Sequence, residues 1–119
     1  MKEELITYDT AVLAKDKGFD IPCLYGVMGK KMKLTHEEPY NLVNWNAPRK
    51  KFTSVPTQSL LQKWLREKHS IEVEVTKLTK YYYKTYKGDL NPYTSNKAIP
   101  SDTYEEAWEK GLQEALKLV

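Results

Sequence analysis

The chain has 119 residues, a net charge of +3, 40% apolar and 29% charged side chains, and nine Tyr with three Trp. This apolar and aromatic content excludes intrinsic disorder, and the length points to a single domain over residues 1–119. With 19 basic against 16 acidic residues, long-range attraction to nucleic acid is weak unless charge gathers in one patch.

A chain this short buries roughly 65% of its unfolded surface, which leaves self-association as a further source of stability. Cys23 is the single cysteine, so no internal disulfide forms and a reducing compartment is expected. Glu3, Glu4, Asp9 and Asp16 interrupt the first twenty residues where a secretory signal would need an apolar run. No stretch reaches the ~18 apolar residues of a membrane span. The expected location is the cytoplasm, away from membranes.

The opening residues predict a helix over 7–17. Thr7 or Asp9 caps it, Tyr8, Ala11 and Val12 share a face, Gly18 ends it, and Leu5 and Ile6 precede the cap as a hydrophobic staple. Residues Ile21–Leu34 favour two short strands turning at Met28-Gly29-Lys30 or at Gly29-Lys30, with Gly26 suggesting a bulge. The stretch from Thr35 to Val55 has no clear period. Its prolines and asparagines read as loop, with Tyr40, Leu42 and Trp45 available for a short added strand or for pinning the loop to the core.

A second helix is predicted over 57–68. Pro56 stands at its entrance, Leu60, Leu61, Trp64 and Leu65 form its apolar face, and Gln58, Gln62, Lys63, Arg66 and Glu67 cover the rest. Ile71, Val73 and Val75 alternate with Glu72 and Glu74 as in a half-buried strand. Lys80–Lys87 forms its partner. A three-residue turn at Lys77-Leu78-Thr79 places Tyr81, Tyr83 and Thr85 on the buried face and sets Glu72 opposite Lys84.

Asp89–Asp102 is polar and carries Asn91-Pro92, Ser95-Asn96 and Pro100, all turn signals. Thr103 with Glu106 is a capping box for a last helix, whose stripe runs through Tyr104, Ala107, Trp108, Gly111, Leu112, Ala115 and Val119. The fold class is α+β, in the order helix–hairpin–helix–hairpin–helix, with the helices packed on one face of an antiparallel sheet.

Few residues carry chemistry. Cys23 with His36 and His69 is the one set with nucleophilic or zinc-binding side chains, yet a zinc site of three or four ligands would need carboxylates to join it, and a strand cysteine is usually a small hydrophobe. His69 at a helix end complements the dipole as an imidazolium. Glu37-Glu38, Glu72/Glu74 and Glu105/Glu106 are paired acids, the second pair facing solvent along a strand and the third stabilising a helix start. Gly26–Lys31 only superficially resembles a phosphate loop, because the spacing and the following helix are missing. No cofactor or metal is implied, and the chain reads as a non-enzyme.

Two binding surfaces remain. The run Lys80-Tyr81-Tyr82-Tyr83-Lys84-Thr85-Tyr86-Lys87 puts Lys80, Tyr82, Lys84 and Tyr86 outward, where rings stack on bases and lysines neutralise phosphates, and Arg49, Lys50 and Lys51 would extend it if the loop folds nearby. Against this, Tyr is a preferred strand residue and a facing glutamate removes charge. Trp64 and Trp108 are core residues, whereas Trp45 either pins the loop or anchors a partner.

Tyr8-Asp9-Thr10-Ala11, Lys17-Gly18-Phe19-Asp20, Pro56–Arg66, Thr103–Ala107 and Gly111–Lys117 together resemble a family of small proteins, without an established activity, from gut bacteria of Bacteroides type and their phages. The resemblance covers both ends and the middle helix. It implies a bacterial or prophage origin and an accessory role, and it brings no catalytic residues. The expected function is a binding domain acting through protein–protein contacts, self-association included, with nucleic-acid binding through the Tyr/Lys strand as the alternative.

Overall fold

The computed structural model describes residues 4–30, 33–36, 41–46, 51–88 and 100–119. Both helices and antiparallel sheets are present, so the chain is α+β. Its contacts gather in two compact units, Leu5–Thr57 and Gln58–Val119 with Met1–Glu4.

In the first unit, α1 (Tyr8–Asp16) begins where Thr7 Oγ1 accepts from the Thr10 amide. Of the two caps the sequence offers, Thr7 is the one used. The helix ends in a Schellman motif: Gly18 has φ +92°, its amide donates to the Lys15 carbonyl, and the Phe19 amide donates to that of Ala14. Phe19 and Ala14 are both buried, the apolar contact such an ending favours. The buried face is Thr10, Ala11 and Ala14, three and four residues apart, and Ile6 is buried just before the cap. Val12, expected on that face, is 41% exposed because it is turned about 100° away from Ala11.

The first strand, β1 (Tyr25–Val27), does not pair with a second strand within Ile21–Leu34 as its sequence suggests. Its partner is β2 (Thr53–Val55), antiparallel, with Gly26 opposite Ser54. Along its other edge Gly26 exchanges both backbone hydrogen bonds with Thr35 (2.9 and 2.8 Å), and Cys23 does the same with Val43 (2.9 Å each). Gly26 is therefore an ordinary ladder position and not a bulge.

The ring of Trp45 explains the non-local pairing. A Cβ built on Gly26 would lie 2.3 Å from Trp45 Cδ2, so only glycine lets the indole lie on the strand. Asn46 completes the pin, donating to the Phe19 carbonyl (2.8 Å) and accepting from the Ser54 amide (2.9 Å). The segment Thr35–Val55, read as a loop, therefore contains the strand β2 at its end, and its Trp45-Asn46 turn is tied to that strand and to the end of α1.

In the second unit, α2 (Gln58–His69) buries Leu61, Trp64 and Leu65 of the expected face, while Leu60 at its edge is only partly buried. Leaving Leu61 or Leu65 in water instead would cost about 1.5–3 kcal/mol each. Gln58 and Gln62, assigned to the solvent side, are also buried. They stand on the same stripe, at i and i+4 with Leu61 and Leu65 at i+3 and i+7. Gln58 Nε2 donates to the Glu105 carbonyl and to Glu109 Oε1 (3.0 Å each), and Gln62 Oε1 accepts from Trp108 Nε1 (3.4 Å).

β3 (Ile71–Lys77) and β4 (Tyr81–Lys87) form the expected antiparallel hairpin. Its turn has three residues, but they are Leu78–Lys80, one position later than expected. The register therefore moves by two: Glu72 faces Tyr86, and Lys84 faces Glu74. Because two is the period of a strand, every side chain keeps its face.

Thr103 Oγ1 caps α3 (Tyr104–Lys117), accepting from the Glu106 amide at 3.1 Å. Ala107, Gly111, Leu112, Ala115 and Leu116 are buried, and the helix packs on both hairpin strands. Tyr104 is 42% exposed, with its ring edge-on to Tyr81 and Trp108. The polar stretch Asp89–Asp102 lies mostly outside the described residues, but Ser101 pairs with Tyr81 through both backbone bonds (3.0 and 2.9 Å).

A Cβ at Gly111 would come within 2.5 Å of Val73 Cγ1 and 3.1 Å of Tyr83 Cβ. Gly111→Ala is expected to destabilise the protein by about 1–2 kcal/mol in urea unfolding, because overpacking a β-branched core residue outweighs the roughly 1 kcal/mol of helix propensity gained. Ser70, with φ 55°, ends α2 in the left-handed region. Ser70→Gly is expected to raise the unfolding free energy by about 0.5–1 kcal/mol, read as a higher urea midpoint at unchanged slope.

Candidate functional site

The alternation of β3 and β4 sorts the hairpin into two faces. Ile71, Val73, Tyr83 and Thr85 are buried. On the opposite face Glu72 stands across from Tyr86, Glu74 from Lys84 and Thr76 from Tyr82. Glu72, Glu74 and Lys84 are exposed, while Tyr82, Tyr86 and Thr76 are partly so. The tyrosines thus present ring area on a surface carrying both signs of charge.

Hydrogen bonds and ion pairs decide how basic this face is. Lys80 lies in the turn, not in the outward row expected for it, and its ammonium is 3.0 Å from Asp102 Oδ1. The hydrogen bond and negative charge of Asp102 hold that ammonium above its ordinary pKa. Lys87 Nζ donates to the Leu118 carbonyl (2.9 Å), satisfying an acceptor at the end of α3. Lys77 lies over the Tyr81 ring, 5.7 Å from its centroid. Only Lys84 of the strand run stays on the tyrosine face, opposite Glu74. Arg66 reaches Glu72 at 3.3 Å, an exposed pair worth at most about 1 kcal/mol.

The remaining expected binding residues fall elsewhere. Arg49 and Lys50 lie outside the described residues, and Lys51 is exposed in the other compact unit. Trp45 is 2% exposed, with its amide on Ser54 Oγ (3.0 Å) and its ring 5.3 Å from that of Phe52. Of the two roles its sequence position left open, this burial gives it the pin and not the surface anchor.

The thiol of Cys23 is buried and donates to the Tyr25 carbonyl at 3.3 Å. Burial pushes its pKa up, outweighing the opposing hydrogen bonds of Ser54, Val55 and Tyr25, so the thiolate a nucleophile needs is disfavoured. His36 packs edge-on against Tyr25, and His69 belongs to the other unit. Among the described residues no group of three His, Cys, Asp or Glu side chains gathers to hold a metal. Glu37 and Glu38 are outside those residues, and Glu105 and Glu106 lie exposed in the first turn of α3. In the stretch compared with a phosphate loop, the Gly26 amide is already engaged by Thr35.

No family model, curated protein or solved structure matches this chain. Among the described residues no helix is long and apolar enough to cross a membrane.

His69 ends α2 with its ring edge-on to Trp64, 4.7 Å between centroids. Desolvation first, then the charges of Lys68 and Lys87, lower its pKa, which opposes the imidazolium expected from the helix dipole. The unfolded chain therefore binds this proton more readily than the folded one. Stability from His69 is present above about pH 6.5 and is lost as pH falls through the lower folded value. Urea midpoints at about pH 7.5 and pH 5.5 should converge in His69→Gln relative to the native chain.

Proposed function

We propose that this protein is a non-enzymatic binding domain that works through protein–protein contacts, self-association first among them, at the open face of the β3–β4 hairpin. The observation that carries this reading is the pairing of partly exposed Tyr82 and Tyr86 with Thr76 and Glu72 on a surface whose one lysine faces Glu74. Tyrosine gives large contact area at little cost in rotamer entropy, and aromatic residues are enriched at interfaces. Charges of both signs suit a polypeptide surface and allow a second copy, turned about a two-fold axis, to set its lysine against a glutamate.

The alternative asks the same face to take nucleic acid through Tyr82, Lys84 and Tyr86, helped by Arg49–Lys51. It is the weaker reading, because Lys80 and Lys87 are engaged with Asp102 and Leu118 and the acids of β3 share the face. A cytoplasmic accessory role of bacterial or prophage origin belongs to this proposal and rests on the lone cysteine and the family resemblance. The protonated, buried Cys23 supports the non-enzymatic part.

Sedimentation velocity of the native chain and of Tyr82→Glu/Tyr86→Glu tests the reading, with circular dichroism showing that both are folded. The native chain should sediment as a dimer or larger and the variant as a monomer. A native chain that stays monomeric at high concentration removes self-association, and a variant that still assembles moves the contact to another face.

A further inference from the structure

Charge is divided unevenly between the two compact units. Leu5–Thr57 holds eight Lys and Arg against five Asp and Glu, a net +3 that equals the excess of the entire chain. Within it, residues 28–51 carry Lys30, Lys31, Lys33, Arg49, Lys50 and Lys51 against Glu37 and Glu38. The near-neutral total conceals this concentration.

Backbone pairing brings part of that charge to one place. β1 leaves its ladder at Val27, opposite Thr53, while Gly26 faces Thr35 across the other edge, and both pairings are antiparallel. The chain running on from Val27 into Lys30 therefore leaves the same end of the ladder at which the chain arrives from Lys51 and from Lys33. Paired neighbours lie about 5 Å apart, so the three lysines issue from adjacent segments. All three are exposed, and none makes an ion pair with a described residue. On the other unit Lys80 and Lys117 are paired with Asp102 and Glu114 and Lys87 is bonded to the end of α3, while Lys63, Lys68 and Lys84 are exposed and make no ion pair with a described residue.

We propose that this basic end of the β1–β2 unit, built on Lys30, Lys33 and Lys51, binds the phosphate backbone of a nucleic acid without base specificity. Flexible ammonium groups on short segments make point-charge contacts and offer no planar fork for reading base edges. A membrane fits less well. Met28 and Leu34 are about half exposed, at 51% and 46%. Even a whole myristoyl chain gives only marginal membrane binding, at about 0.8 kcal/mol per buried CH₂. The site shares no residue with the tyrosine face and stands or falls independently of it.

Fluorescence anisotropy with a labelled mixed-sequence duplex of about 20 base pairs, at about 50 and about 200 mM NaCl, tests the proposal. Three phosphate contacts give a log–log salt slope near −2.7, so affinity should fall about 40-fold over that range. Lys30→Glu/Lys33→Glu/Lys51→Glu should abolish binding. The charge-matched Lys63→Glu/Lys68→Glu/Lys77→Glu in the other unit should retain most of it. Lys30→Gln/Lys33→Gln/Lys51→Gln, which adds no acids, should fold as the native chain does and flatten the salt slope. The proposal is overturned if the native chain does not bind at low salt, if the two reversals weaken binding equally, or if the neutral variant keeps the full slope. Binding to phosphatidylserine vesicles in place of the duplex overturns it as well.

Discussion

The contact between Gly111 and the side chains of Val73 and Tyr83 governs how the C-terminal unit presents itself. With no Cβ at this position, α3 settles onto the hairpin closely enough for Ala107, Leu112, Ala115 and Leu116 to be buried. Close seating commits Ile71, Val73, Tyr83 and Thr85 to the interior, and by the two-residue period of a strand it commits Tyr82, Lys84 and Tyr86 to the outside. The candidate binding face is thus the complement of a helix-packing decision. Its tyrosines are available because their neighbours in sequence are not.

A glycine serves the N-terminal unit in a similar way. Trp45 lies on Gly26, and Asn46 ties the same turn to the end of α1 and to β2. The described residues 41–46 of a run without sequence period are thereby tied to the rest of the unit. The pin also closes β1 between two neighbours, Thr35 on one edge and Ser54 on the other. Three chain segments consequently end together, and their lysines with them.

Electrostatics distinguishes the two surfaces more sharply than composition does. In the run Lys80–Lys87, lysines that look like a basic row are taken up by Asp102 and by a helix-terminal carbonyl. A lone ammonium facing a carboxylate attracts a polyanion weakly. At the end of the β1–β2 ladder, by contrast, exposed lysines stand without described acidic partners, so the same residue type has a different physical meaning. The buried glutamines of α2 show the converse: polar residues on an apolar stripe, hydrogen-bonded to α3 and inaccessible to a ligand.

Short-range physics was legible in the residues. Thr7 and Thr103 as caps, Gly18 as a helix end, Leu61, Trp64 and Leu65 as a buried face, and the parity of β3 against β4 all depend on neighbours within a turn or one strand period. Gln58 and Gln62 were readable too, since their spacing puts them on the Leu61–Leu65 stripe, but polarity argued for solvent and packing prevailed. The partner of β1, the depth of Trp45, the two-residue shift that replaced Glu72 with Glu74 opposite Lys84, and the diversion of Lys80 and Lys87 depend on residues far apart in the chain. Caps, periods and parity are local properties that any isolated segment already carries. Pairing partners, burial and the surviving charge of a surface are set only when distant segments compete for the same backbone groups and the same apolar area, and that competition exists only in the folded protein.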